Sequence, residues 1–338
     1  MILITTLSFS QVRSTLSNNN TRVVGDKGIF GAPGPDKTLI VTIDRQQAIR
    51  ETEAEEQSGA GLPYRFGKGV AINQTQDNSG TWYETENGRV WKLRIKSPSA
   101  YSLNLSFSRL FLSGASELYL YNREGTMVYG PITAAAISSA GFNTDLIKGD
   151  EITLELFEPT AELNKNVLEL SKVVHGFRDM FKQANFGDSN VQGCQHDASC
   201  SSGLNPQSNG VAMILLASQE RICSGSLLNN ACRDFTPNIL TAFHCVDIGN
   251  TSTGNACNDP EVFNGVLSTQ EITNAENWVF RFQYKRNACD SGTEPTSYVT
   301  FQRGAIFRSA FFNTDMALFQ MRDNPALVAP NSGIRYLG

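Results

Sequence analysis

Cysteine is absent from the first 193 residues of this 338-residue chain. All seven cysteines follow: Cys194, Cys200, Cys223, Cys232, Cys245, Cys257 and Cys289. No two have Cys-x-x-Cys spacing, so no zinc site or other metal site is expected. Clustering in one half without metal spacing favours disulfides and a secreted or periplasmic location. Charge is also sparse, at 18 % of residues with a net value of -5. With no basic block, a nucleic-acid partner has no electrostatic support. No apolar run approaches the roughly 20 residues needed to cross a bilayer, so no membrane partner is expected. Internal repeats and low-complexity segments are missing as well, and nothing implies a cofactor.

What is present suits a globular protein of two domains, with 40 % hydrophobic residues. Met1 to Ser10 (MILITTLSFS) is apolar but lacks a preceding positive residue and a clean cleavage site. Three readings stand: a shortened leader, a wrongly chosen start, or an edge strand. Its apolarity favours the first, giving a leader and linker over residues 1–22.

Leu39 to Ile43 is a short strand candidate, and Arg45 to Glu56 has the charge spacing of a short solvated helix. From Thr81 the pattern is β. Val90 to Lys96 alternates apolar and basic residues, as a half-buried strand does, after the turn pair Asn87-Gly88. Leu103 to Phe107, Glu117 to Tyr121 and Glu151 to Leu156 alternate in the same way. Frequent turns between short strands predict a β-sandwich over about residues 65–160. Trp82 and Trp91 flank a hairpin and are expected in its core. Phe177 to Asn190 loses the alternation and reads as a connection carrying Arg178 and Lys182, two basic cleavage targets.

Beyond it lie more strands: Val211 to Leu216, Ile222 to Leu228, Asn238 to Ala242, Trp278 to Tyr284, Tyr298 to Phe301 and Met316 to Met321. They suit one antiparallel barrel. The chain is therefore expected to be all-β, a sandwich followed by a barrel. One of three histidines sits beside a cysteine at the end of an apolar strand, in Leu240-Thr-Ala-Phe-His244-Cys245. A lone acid, Asp315, precedes the alternating strand Met316 to Met321. A buried carboxylate needs a partner, and a histidine would serve. Together they are candidates for a general base and its orienting acid in a hydroxyl-dependent hydrolase. His175 and His196 have no comparable context.

Residues 187–338 resemble the first two-thirds of a secreted bacterial protease of the chymotrypsin/trypsin superfamily, most closely the lysyl-endopeptidase-like group. The resemblance rests on Leu240-Thr-Ala-Phe-His244-Cys245, on Cys223-Ser-Gly-Ser-Leu-Leu-Asn-Asn230, on Asp315-Met-Ala-Leu and on the early pair Cys194 and Cys200. More loosely, residues 23–182 resemble the prosegment of such precursors. The resemblance implies a double barrel with His244 as base and Asp315 as its partner. It also implies disulfides Cys223–Cys245 and Cys200–Cys289, a peptide or protein substrate cut after lysine or another basic residue, and a prosegment packed on the protease domain. Cys232 and Cys257 are close enough in sequence to pair, which leaves Cys194 alone; the resemblance implies a partner for it near the C-terminus, and the alternative pairs Cys194 with Cys200 and leaves another thiol free.

The chain departs from this pattern in one respect. No Gly-Asp-Ser-Gly follows Asp315, so the second barrel and its serine are expected outside these 338 residues, and the chain alone is expected to be inactive. Gly187-Asp188-Ser189 precedes the histidine and reads as an exposed turn. Ser226 lies in a core strand, and Ser332-Gly333 has no acid beside it. The alternative reading is a non-catalytic protease homologue used as a binding or adhesion module. An exposed apolar face and aggregation of residues 187–338 alone would favour the precursor, and a stable, monodisperse fold the binding module.

Overall fold

The computed structural model describes residues 12–17, 21–59, 61–137, 141–181, 198–201, 203, 205–249, 263–285, 288–289, 295 and 297–338. In the first half these form β1 (Val12–Leu16), β2 (Thr38–Ile40), α1 (Arg45–Gln57), β3 (Tyr64–Arg65), β4 (Gly67–Thr75), β5 (Thr81–Thr85), β6 (Gly88–Lys96) and β7 (Ser102–Phe111). There follow β8 (Glu117–Asn122), β9 (Met127–Ile132), β10 (Phe142–Asn143), β11 (Ile147–Lys148), β12 (Glu151–Pro159) and β13 (Val167–Gly176). The second half contains α2 (Asn205–Ser208), β14 (Val211–Leu215), β15 (Arg221–Leu228), β16 (Asn238–Thr241), α3 (Thr269–Asn274), β17 (Val279–Phe282), β18 (Ser297–Phe301), β19 (Ala305–Phe311), β20 (Met316–Met321) and α4 (Pro325–Val328). The chain is all-β in class.

In the first half, two layers enclose one core. Strands β9, β8, β12 and β6 lie side by side in one sheet, and β10, β7, β13 and β4 in the other. Leu93, Leu120 and Leu154 from the first layer meet Leu103, Leu105 and Val173 from the second, all buried. Period-two alternation supplies this packing: each strand sends every other side chain inward. The β5–β6 hairpin pairs Trp82 with Trp91, and its turn residues are Glu86 and Asn87. Gly88 opens β6 because a Cβ there would stand 2.0 Å from the Glu158 carbonyl.

Two expectations for this half need correction. The basic residues of β6 were to face solvent, yet Lys92 is fully buried. Loop residues Lys27 and Ala32 fold over it and accept its ammonium hydrogens at 3.0 and 2.9 Å. Glu155, also buried, faces Lys92 at 3.4 Å and accepts the backbone N–H groups of Ile29 and Phe30. Helix α1 is not simply a solvated face either. Asp44 caps it, and Ala48, Thr52 and Glu55 point inward.

The second half runs in the order β19-β20-β16-β15-β14-β17-β18, every neighbour antiparallel. Its strands share a core of Ile214, Leu227, Ile239, Trp278, Phe280, Phe282 and Phe319. The expected barrel does not close. Strand β18 does not hydrogen-bond back to β19; its free edge is taken by β1, with Val12 opposite Thr300. Strand β1 then pairs with β9, so one sheet continues from the second half into the first. Residues 12–16, read from sequence as leader and linker, are thus an interior strand, with Val12 and Ser14 fully buried.

This seam is polar as well as apolar. Arg281 of β17 and Asp145 of the first half form a doubly hydrogen-bonded ion pair, with Nε to Oδ2 at 2.7 Å, and both residues are buried. Burial works against the Arg281 charge, but the Asp145 carboxylate outweighs it and holds the guanidinium above its ordinary value. Glu55 bridges Arg65 and Arg221, and Arg65 also meets Glu220. Arg178 grips both oxygens of Glu56, at 2.7 and 3.0 Å, so this expected cleavage target is built into the structure. Lys182 and the rest of the expected connection, to Asn190, lie outside the described residues.

Candidate active site

The register of β16 against β20 sets up the site. Thr241 lies opposite Ala317 in an antiparallel pair. Residues just after Thr241 therefore meet residues just before Ala317. After β16 the chain makes one short 3-10 turn, Phe243–Cys245. Phe243 and Cys245 are buried and anchor it, which leaves His244 between them facing out. Cys245 is bonded to Cys223 of β15. The Thr241 hydroxyl donates to the Ser224 carbonyl at 2.8 Å, fastening the end of β16 to the same strand.

On the opposite side β19 ends in the turn Phe312–Thr314, and Asp315 adopts a left-handed conformation with φ 48°. Aspartate accepts this region more readily than most residues. The turn brings the carboxylate to His244 at two points. Oδ1 accepts the His244 backbone N–H at 2.9 Å, and Oδ2 lies 2.8 Å from ring Nδ1. Burial raises the Asp315 carboxyl, but the hydrogen bonds and charge of His244 outweigh it, so it titrates below the usual aspartate range.

This carboxylate is not buried, contrary to the sequence expectation. Its side chain is 54 % exposed and that of His244 41 %. Nothing among the described residues covers their outer side. Around them Phe311, Phe312 and Met316 are exposed apolar side chains. A groove of about 410 Å³ runs beside the pair, lined by Phe243, Leu267, Ile272, Phe307, Ala310 and Phe312 among others.

Among the described residues no serine or threonine hydroxyl hydrogen-bonds the His244 ring. Ser226 is a half-buried strand residue, and the Ser332 hydroxyl donates to the Ala329 carbonyl at 2.6 Å. Gly187-Asp188-Ser189 and His196 lie outside the described residues. So do Cys194 and Cys257, and with them the expected partner of Cys232, which is exposed and carries a free thiol. Cys200 is bonded to Cys289. Cys223, His244 and Cys245 form a cluster of metal-ligand type, but its two sulfurs are bonded to each other and offer no thiolate. His175 is buried at the end of β13. Its Nδ1 lies 2.8 Å from the Ser97 hydroxyl, which itself donates to the Val41 carbonyl.

Two acids next to the site went unread in the sequence. Asp247 and Glu271 are both buried. The signal for Glu271 was there, in Ser268-Thr-Gln-Glu271, a capping box whose reciprocal hydrogen bonds both form at the start of α3. Asp247 carries no such mark.

Residues 186–338 match the family model of the lysyl endopeptidase C-terminal domain. The match takes in His244, Asp315 and both disulfides of the described residues. It supports a lysyl-endopeptidase-like, protease-related function for the second half. Two disulfides also fit an extracytoplasmic location.

Proposed function

We propose that this chain is part of a secreted serine-type endopeptidase precursor. Residues 187–338 would supply the general base and its orienting acid, and residues 23–182 a prosegment. The observation that carries this reading is the double contact of Asp315 with His244, at backbone and ring. A carboxylate on Nδ1 keeps the proton there and leaves Nε2 free to accept one. Nε2 then takes the proton of an attacking serine hydroxyl and returns it to the leaving amine, while Asp315 stabilises the imidazolium. None of the described residues presents a hydroxyl to the ring, so the proposal places it, with the backbone N–H groups that hold the oxyanion, on a surface that packs against the dyad. The exposed phenylalanines beside the dyad support such a partner surface, because apolar patches of this kind mark an interface. Cleavage after lysine follows from the family description alone.

The 338 residues by themselves are expected to turn over no peptide. The test is the gene read past codon 338 and the longest product assayed on a blocked peptide with a single lysine. Turnover is expected, with His244→Ala lowering it by roughly 10⁴-fold or more. A locus without a Gly-x-Ser-Gly segment downstream in any frame overturns the precursor and leaves the non-catalytic binding module.

A further inference from the structure

We propose that β1 is a clasp: a strand tethered to the first half and seated against the second, which keeps the two halves bound after the chain between them is cut. The proposal rests on the precursor reading, since a precursor is cut between prosegment and protease domain. The slot that holds the strand has β18 on one side and β9 on the other. Val12 to Thr15 pair with Thr300 back to Ser297, and Ser14 to Leu16 with Tyr129 back to Met127. The Thr300 hydroxyl also donates to the Val12 carbonyl at 2.9 Å. Withdrawing β1 strips two strand edges of a partner at once, one in each half.

The tether comes first. The chain leaving β1 stays on the first half: the Ser17 N–H donates to the Thr126 carbonyl at 2.8 Å, and that of Val23 to the Gly125 carbonyl at 2.6 Å. Further on, Lys92 and Glu155 hold the loop at Lys27, Phe30 and Ala32. The core is the second observation. Val12 and Leu16 belong to the core of the first half, and that core takes in Leu215, Val279 and Tyr298 of the second. Burial of two such aliphatic side chains favours association. A buried ion pair such as Asp145 with Arg281 aligns the halves for little net gain. Among the described residues, the other strand pairing across the seam is β3 with β15, over Tyr64 and Arg65 alone. The third observation is the middle of the strand. Ser14 lies opposite Tyr298 on one side and Tyr129 on the other, and all three are buried. Residues directly opposite share a face, so a larger side chain at 14 must displace a buried ring. The slot therefore accepts an extended segment with aliphatic ends and a small residue between them.

The test keeps the chain whole until it has folded, so no variant has to fold without the strand. Recognition sequences for two different proteases are built in, one within residues 183–190 and one within 18–20. Cutting the first alone is expected to leave both halves in one peak on size exclusion. Cutting the second as well frees β1 from its tether, and dilution should then separate the halves, with association weakened roughly a hundredfold or more. A synthetic peptide of residues 11–17 in excess should restore the single peak, and the same peptide with Ser14→Leu should not. Halves that part after the first cut, or hold as tightly after the second, overturn the clasp. So does equal rescue by the two peptides. A singly cut complex of doubled mass gives the strand to a second copy and overturns it as well. None of these outcomes bears on the dyad. Conversely, a locus without a downstream Gly-x-Ser-Gly segment sinks the endopeptidase reading and leaves the strand exchange as measured.

Discussion

The seam between the halves and the face around His244 use the same kind of contact to opposite ends. At the seam Asp145 and Arg281 are buried and bonded to each other twice. At the face Asp315 also makes two contacts with one residue, yet both partners stand more than two-fifths exposed. A buried pair cannot be approached by a reactant, and losing one member strands the other charge. An exposed pair adds little stability but can exchange protons. The difference marks the seam as architecture, and the proposed chemistry is put at the exposed face.

The largest effect expected on that contrast is at the seam. Asp145→Ala leaves Arg281 charged and alone, and should lower the unfolding free energy by about 3–5 kcal/mol, read from urea midpoints. Asp315→Ala should move the same midpoint by about 0.5 kcal/mol at most. Equal losses would break the comparison.

A second contrast is pH. Burial, and then the nearby Arg45 charge, depress the His175 imidazole to about 4, with Asp150 opposing them. The folded protein holds this ring neutral, while the unfolded chain protonates it below the ordinary value near 6.5. Stability from this group is therefore complete above 6.5 and is lost as pH falls toward 4, by roughly 3 kcal/mol. In His175→Gln that part of the pH slope should vanish from urea titrations between those values, whereas His244→Gln should leave it in place.

Removing the Cys223–Cys245 bond by a double change to alanine should cost about 2–4 kcal/mol in thermal or urea unfolding. This bond fastens the turn that carries His244 to β15. The smallest effect is local. His244→Ala should raise the Asp315 titration only part of the way toward the usual aspartate range, since the ring's hydrogen bond and charge are lost while the backbone N–H at 244 still donates to the carboxylate. Side-chain carbonyl NMR reads this directly.

Much of the sheet structure was legible, because alternation at β6, β7, β8 and β12 has a two-residue period that few other arrangements produce. So were the dyad residues, since Thr-Ala-Phe-His-Cys and the lone acid before Met316 are local strings. What alternation could not carry was the second covering of a strand. Lys92 looks outward in sequence and is sealed by a loop some sixty residues earlier. Strand β1 was hidden for a similar reason: Val12–Leu16 is short, and its burial comes from β18 and β9 on either side. That same pairing leaves the barrel open, a tertiary choice with no local signature. Exposure of Asp315 was equally unreadable, because a carboxylate before an apolar strand has the same sequence whether or not another surface covers it.

The central claim is that Asp315 fixes the His244 tautomer so that Nε2 is the free base. Nitrogen-15 NMR of the ring at about pH 8, where an ordinary imidazole is neutral, measures this directly. The account predicts a proton on Nδ1 and a bare Nε2, with the preference lost in Asp315→Ala. A ring protonated on Nε2, unchanged by that substitution, would contradict it.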